Sequence, residues 1–128
     1  MKYLLDTHTY LWYRSAPELL PAVVFHLIVD PSHDMLISVV TPWELAIKTG
    51  IGKLSVNELL VDFEKRETAA GFAIEGITTS QAIRGGLLPL HHRDPFDRLL
   101  AAQALDLNVP IISRDRIFAL YGVQRVWG

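Results

Sequence analysis

Met35-Leu36-Ile37-Ser38-Val39-Val40 runs straight into Thr41-Pro42-Trp43-Glu44, and this ten-residue stretch decides the fold class. A continuous apolar run rich in β-branched residues predicts a strand covered on both faces, as strands of parallel sheets are. Thr41 then offers an N-cap and Pro42 the favoured first helical position, so a helix is expected to open where the strand ends, with Glu44 in its first turn. A strand that feeds directly into a helix is the repeating unit of an α/β fold.

The same alternation continues on either side. Upstream, residues 3–5 read as a short buried strand with Asp6 at its carboxyl end, and 7–13 as a helix carrying Leu11 and Trp12. Residues 17–29 place Leu19, Leu20, Val23, Val24, Leu27 and Ile28 at helical spacing, and Asp30-Pro31-Ser32 stops them with turn chemistry. Downstream, Trp43, Ala46 and Ile47 form the expected buried stripe of the helix that ends at Gly50, and 56–69 predict another helix. Residues 72–77 predict a strand, 79–85 a short helix, and the segment to His92 a loop. Asp94 and Pro95 repeat the pairing of N-cap with first-position proline, ahead of a helix whose apolar face is Phe96, Leu99, Leu100, Ala104 and Leu107. A strand at 109–113, a helix at 114–121 and an edge strand at 123–127 complete the pattern.

The chain has 128 residues, half of them apolar, which suits a single domain over 1–128 with a real core. A formal charge of −2 without a basic run excludes a strong non-specific polyanion binder. The absence of cysteine excludes disulfides, thiolate metal sites and a cysteine nucleophile. The amino terminus meets Asp6 too early for a signal-peptide core, so a cytoplasmic location is the expectation. The glycines at 50, 52, 85 and 86 match neither a phosphate loop nor a dinucleotide fingerprint.

Four acids, Asp6, Glu44, Asp97 and Asp115, fall just past a strand or near the start of a helix. In a parallel sheet built from right-handed crossovers those positions share one edge, where ligands bind. Converging carboxylates repel one another unless a cation joins them, which points to a hard divalent metal, Mg²⁺ or Mn²⁺, and to metal-assisted chemistry on phosphates. Helix N-termini are expected to keep Glu44 and Asp97 ionised. Each acid also has a structural reading. Glu44 and Lys48 have the i, i+4 spacing of a surface ion pair, Asp97 can complement the dipole beside Asp94, and Asp115 can cap the following helix. Asp6 has no evident capping duty beyond what Thr7 can supply. His91 and His92 read as solvated loop residues, and Trp12, Trp43 and Trp127 as core.

Four segments then carry a family resemblance: Leu4-Leu5-Asp6-Thr7-His8; Ser38 through Trp43-Glu44-Leu45-Ala46-Ile47-Lys48 to Gly52-Lys53-Leu54; His92-Arg93-Asp94-Pro95-Phe96-Asp97-Arg98-Leu99-Leu100-Ala101-Ala102-Gln103-Ala104; and Ser113-Arg114-Asp115. They resemble the PIN-domain family, and within it the VapC toxins of bacterial and archaeal type II toxin-antitoxin modules. The resemblance spans essentially the whole chain. It implies a three-layer PIN-like fold, in which a central, mostly parallel twisted sheet of about five strands carries helices on both faces. It also implies a Mg²⁺- or Mn²⁺-dependent endoribonuclease, a cognate antitoxin that holds it inactive, and a homodimer. The family's acidic quartet falls on Asp6, Glu44, Asp97 and Asp115, with Asp94 belonging to a narrower subgroup motif. Thr41-Pro42 departs from the subgroup, where a small residue and an aliphatic one resemble the more common pair.

Arg93, Arg98, Arg114 and Arg116 lie beside the acids in sequence and either grip substrate phosphate or pair with those acids. Leu59, Leu60 and Phe63 either line a dimer or antitoxin groove or belong to the core. Two rival functions fit less well. A non-catalytic module would use the acidic rim to receive a protein partner or RNA. An aspartyl phosphatase would need a second acid where His8 stands.

Overall fold

The computed structural model describes residues 1–128. Five strands, β1 (Lys2–Leu5), β2 (Asp34–Ser38), β3 (Ala73–Glu75), β4 (Ile111–Ile112) and β5 (Arg125–Val126), form one sheet in the order β3-β2-β1-β4-β5. Every pairing is parallel. The chain starts in the middle, builds outward through β2 and β3, then returns to lay β4 and β5 on the other side of β1. The order therefore reverses between β1 and β4, and a crevice opens at their carboxyl ends.

Strand alternation sorts the core into two layers. Tyr3, Leu5, Met35, Ile37 and Ile112 face α1 (Thr7–Ser15), α2 (Ala22–Val29) and α5 (Phe63–Ala69), packing with Tyr10, Val24, Ile28 and Phe63. Leu4, Leu36 and Ile111 face the other way, onto Leu100, Ala101 and Ala104 of α7 (Pro95–Leu107) and Phe118 of α8 (Ile117–Leu120). Burying each large apolar side chain contributes about 1.5–3 kcal/mol, and Leu4, Leu5, Ile37, Ile111 and Ile112 are wholly buried.

Several expected boundaries move, each for a local reason. β2 stops at Ser38, whose Oγ accepts from the Val40 N–H, and α3 (Val40–Gly50) begins there. Thr41 is therefore inside the helix and not its cap: it is buried, with its hydroxyl 3.3 Å from that of Thr7. Glu44 consequently lies two residues deeper than expected, past the first turn. The buried residues of α3 are Val40, Thr41, Glu44 and Leu45, while Trp43, Ala46 and Ile47 are exposed, so the predicted apolar stripe faces outward.

The expected helix at 17–29 splits into a 3₁₀ turn at Pro17–Leu19 and α2, because Leu20 and Pro21 are extended. That at 56–69 splits into α4 (Asn57–Leu60) and α5 at Asp62, which adopts a left-handed φ of 50°. Helix α6 (Thr79–Leu87) starts on a Thr78–Gln81 capping box and runs through both glycines. Gly85 allows α7 to approach: a Cβ there would lie 3.2 Å from the Leu99 Cα. The C-terminal helix expected at 114–121 shrinks to α8. No helix is long and apolar enough to cross a membrane.

Candidate active site

Asp6 follows β1 and caps α1, with its Oδ1 accepting the Thr9 N–H at 2.7 Å. It thus has the capping duty that the sequence had not suggested. Its other oxygen accepts the Ser113 hydroxyl, which reaches across from the end of β4. Ser113 Oγ in turn accepts the Asp115 N–H at 3.0 Å, so a single hydroxyl links the two acids. Asp115 also caps locally, its Oδ1 accepting from the Ile117 N–H at 3.0 Å, and the rest of its carboxylate faces solvent. The start of α7 follows the sequence reading. Asp94 is the N-cap, with its Oδ1 2.8 Å from the Phe96 N–H, and Asp97 lies in the first turn.

The electrostatics depart from expectation. Burial pushes the Asp97 carboxyl up to about 6, reinforced by the charges of Asp94, Asp6 and Glu44 and opposed by His92. Burial also raises Asp6, partly offset by its bonds from Ser113 and Thr9. For Asp97 the helix dipole therefore loses to desolvation and like charge. The field of Asp6 and Glu44 at Asp97 shows that these three carboxylates share one neighbourhood.

Glu44 does pair with Lys48 as its spacing suggests, but not on the surface. Its side chain is 2% exposed, and only one oxygen meets the ammonium. The other, Oε1, is buried without a partner. An orphaned carboxylate oxygen costs stability unless something fills the gap.

His92 is the residue that sequence reading missed. Its Nε2 lies 2.8 Å from Asp97 Oδ2 and 3.9 Å from Asp115 Oδ2, bridging two acids. The Tyr121 hydroxyl holds it there by accepting the His92 N–H at 2.8 Å. That tie joins the segment before α7 to the end of α8, and no local pattern announces it. His92, Asp94 and Asp97 together offer donor atoms within 4.8 Å of one another.

The arginines separate. Arg98 donates to the carbonyls of Gly86 and Leu88 at 2.9 and 2.8 Å and so ties down the end of α6. Arg93 is exposed. Arg114 and Arg116 are exposed on the walls of a cleft of about 670 Å³ that also contains Asp6 and Asp115. None of the four pairs with an acid of the quartet, which meets only Lys48 and His92. Arg125, absent from the sequence reading, lines the same cleft and donates to the Ser113 carbonyl at 3.1 Å. Leu59 and Leu60 pack against the core and Phe63 belongs to it, so these residues form no open groove.

The donor set fits a hard divalent cation. It is all carboxylate oxygen with one imidazole, it contains an unpaired buried oxygen, and the charges of Asp6 and Glu44 help to raise Asp97. A parallel α/β sheet with an acid-lined crevice at its switch point defines the class of protein. The PIN domain family model matches residues 3–123, and the chain belongs to the PIN-domain family. No curated protein sequence matches it. Among solved structures it is similar to VapBC2 from Rickettsia felis, bound to a DNA fragment from their promoter, at 16% identity and a TM-score of 0.72 over 100% of both chains. It is also similar to VapBC-1 from nontypeable Haemophilus influenzae, at 17% identity and TM-score 0.68 over 98% of this chain and 97% of that one. DNA-bound VapBC from Salmonella typhimurium gives 21% identity and TM-score 0.68 with the same coverage.

Proposed function

We propose that this protein is a Mg²⁺- or Mn²⁺-dependent endoribonuclease of the VapC type, the toxin of a toxin-antitoxin pair, acting in the cytoplasm as one PIN-like domain over 1–128 and as a homodimer. What supports this reading most is the pressure of the Asp6 and Glu44 charges on the buried Asp97, raised to about 6, together with the unpaired buried Oε1 of Glu44. Membership of the PIN-domain family and likeness of fold to VapBC chains support the toxin reading and a cognate antitoxin partner.

In this reading Asp6, Asp97 and Asp115 hold the metal, and Glu44 completes the shell or orients the attacking water. A bound divalent ion supplies a water of lowered pKa and offsets charge on the phosphate. The chain's own groups fix the rest. Ser113 holds the Asp6 carboxylate in place, Lys48 fixes one oxygen of Glu44 and leaves Oε1 free, and His92 orients Asp97. Arg114 and Arg116 stand free to meet substrate phosphates.

The test is incubation of the pure protein with labelled RNA, with and without Mg²⁺. Metal-dependent internal cleavage is expected. Cleavage of no RNA, by a protein that nevertheless binds a small basic protein co-purified from its host, would replace this reading with the binding module.

A further inference from the structure

The cleft beside the acids has a second wall that the hydrolytic reading leaves unused. Trp12 of α1 and Trp127, just past β5, lie with ring centroids 6.0 Å apart at 57°, and the His8 ring lies 6.0 Å from that of Trp12 at 53°. All three line the cleft that holds Asp6 and Asp115. His8 is exposed and both indoles are half-buried, packed against the core on one part of their surface and lining the cleft with another. Arg114 and Arg116 complete its border. Core packing accounts for part of each indole but not for two tryptophans and a histidine opening onto a polar, arginine-lined crevice.

We propose that this wall is a nucleotide subsite for single-stranded RNA. Trp12, Trp127 and His8 stack a base next to the scissile phosphate, while Arg114 and Arg116 hold the adjoining backbone phosphate. The proposal rests on the ribonuclease reading and names the form of its substrate. Aromatic faces accept any base but only one already out of a duplex stack, and arginines beside them track the backbone. A cleft of about 670 Å³ has the size of a small-ligand site, enough for a nucleotide. Arg114, Arg116 and Arg125 outnumber Asp6 and Asp115 along the cleft, which favours a polyanion over a basic peptide.

The probe is a short uridine ribo-oligonucleotide, offered single-stranded and as a matched duplex to the full chain in EDTA, so that no cleavage intervenes. Trp43, which lines a different pocket, is replaced by phenylalanine so that fluorescence reports Trp12 and Trp127 alone. The single strand should quench that fluorescence, and the duplex should not. Trp127→Ala should weaken single-strand affinity about ten-fold, within the stacking range of about 1–3 kcal/mol per base, and Trp127→Phe should restore most of it. Because the two indoles also support each other, the exposed His8→Ala is a second variant with little stake in folding, expected to lose about five-fold. Arg114→Ala with Arg116→Ala should flatten the salt dependence of binding.

Absence of quenching by the single strand overturns the subsite, as does equal binding of the duplex or unchanged affinity in folded Trp127→Ala and His8→Ala proteins. Quenching by a basic peptide but not by RNA overturns it in favour of a protein partner. Cleavage is scored separately in Mg²⁺. A protein that quenches and discriminates but cuts nothing keeps the subsite and loses the ribonuclease reading, and one that cuts with normal affinity in the variants does the opposite.

Discussion

Two sets of buried carboxylates in this molecule sit under opposite conditions. Glu67 of α5 is wholly buried in the layer between the sheet and α1, where it receives the Tyr10 hydroxyl and two guanidinium nitrogens of Arg14, with Arg66 3.8 Å away. Every oxygen is used and a cation answers its charge. The side effect falls on Tyr10, whose hydroxyl is pushed up to about 12 by burial and by donating a hydrogen bond to the charged Glu67 carboxylate. At the crevice, by contrast, the charges of Asp6, Glu44 and Asp94 all press on the buried Asp97, and only His92 answers it, while Lys48 meets a single oxygen of Glu44. A carboxylate that is buried and satisfied holds the fold together. Carboxylates that are buried and in conflict mark a place where stability has been given up, which is where function is expected.

The largest effect expected from this contrast is on activity. Asp97→Asn keeps the shape but removes a ligand charge, so metal-dependent RNA cleavage should fall at least about a hundred-fold, the scale of losing one preorganised charge-stabilising group. Its melting temperature without metal should hold or rise. The same variant has a pH signature. The folded Asp97 carboxyl titrates near 6, above its unfolded value, so its contribution is fully present below the unfolded value and is lost as pH rises through about 6. Metal-free stability should therefore drop as pH rises from 4 to about 6.5. Asp6, raised as well, adds in the same direction. A melting series that shows the same slope in Asp97→Asn as in the native chain would break the contrast at its electrostatic root.

Glu67→Ala should behave in the reverse manner. Removing the carboxylate leaves Arg14 and the buried Tyr10 hydroxyl without their partner, costing about 3 kcal/mol, near the low end for a broken buried pair because Arg14 is partly exposed. Urea unfolding measures this, and metal-dependent cleavage below the melting transition should be unchanged. Mg²⁺ should come next in size. An ion that binds only the folded chain stabilises it by about 2.7 kcal/mol when present at a hundred times its dissociation constant. Calorimetry should show that gain in the Glu67→Ala protein and not in Asp97→Asn.

Asp94→Ala is the smallest and sharpest. Asp94 donates no charge relief to Asp97 and its Oδ1 serves the first turn of α7, so its loss should cost about 1 kcal/mol of stability and leave cleavage largely intact. Loss of cleavage in a stable Asp94→Ala protein would move Asp94 into the metal shell, alongside its neighbours His92 and Asp97.

The parts of this molecule readable in its sequence are those governed by near neighbours. Alternation and β-branching show the strands, and all five are present, with β3, β4 and β5 shorter than expected. The pairing of Asp94 with Pro95 announces α7 at its observed first residue. Where near neighbours mislead, a distant partner is responsible. Ala46 and Ile47 look like one face of a buried stripe, yet α3 turns Thr41 inward, where Thr7 of α1 meets its hydroxyl, and Glu44 goes inward with it although one of its oxygens finds no partner there. Arg98 looks like part of a phosphate rim beside Asp97, but the close crossing of α6 and α7 at Gly85 brings it onto the carbonyls of Gly86 and Leu88.

By itself the sequence determined the α/β class, the start of α7 and the identity of four acids lying just past strands or near helix starts, because strand patterning and caps depend on residues within about one helical turn. Tertiary structure decided which side chains share the crevice. Ser113 meets Asp6 across 107 residues only because β4 lies beside β1 in register, Leu5 opposite Ile112. His92 reaches Asp97 and Asp115 only because Tyr121 holds its backbone, and Arg125 enters the cleft only because β5 pairs with β4. Such meetings depend on strand order and register, which are set by the packing of the whole core and are written in no single segment.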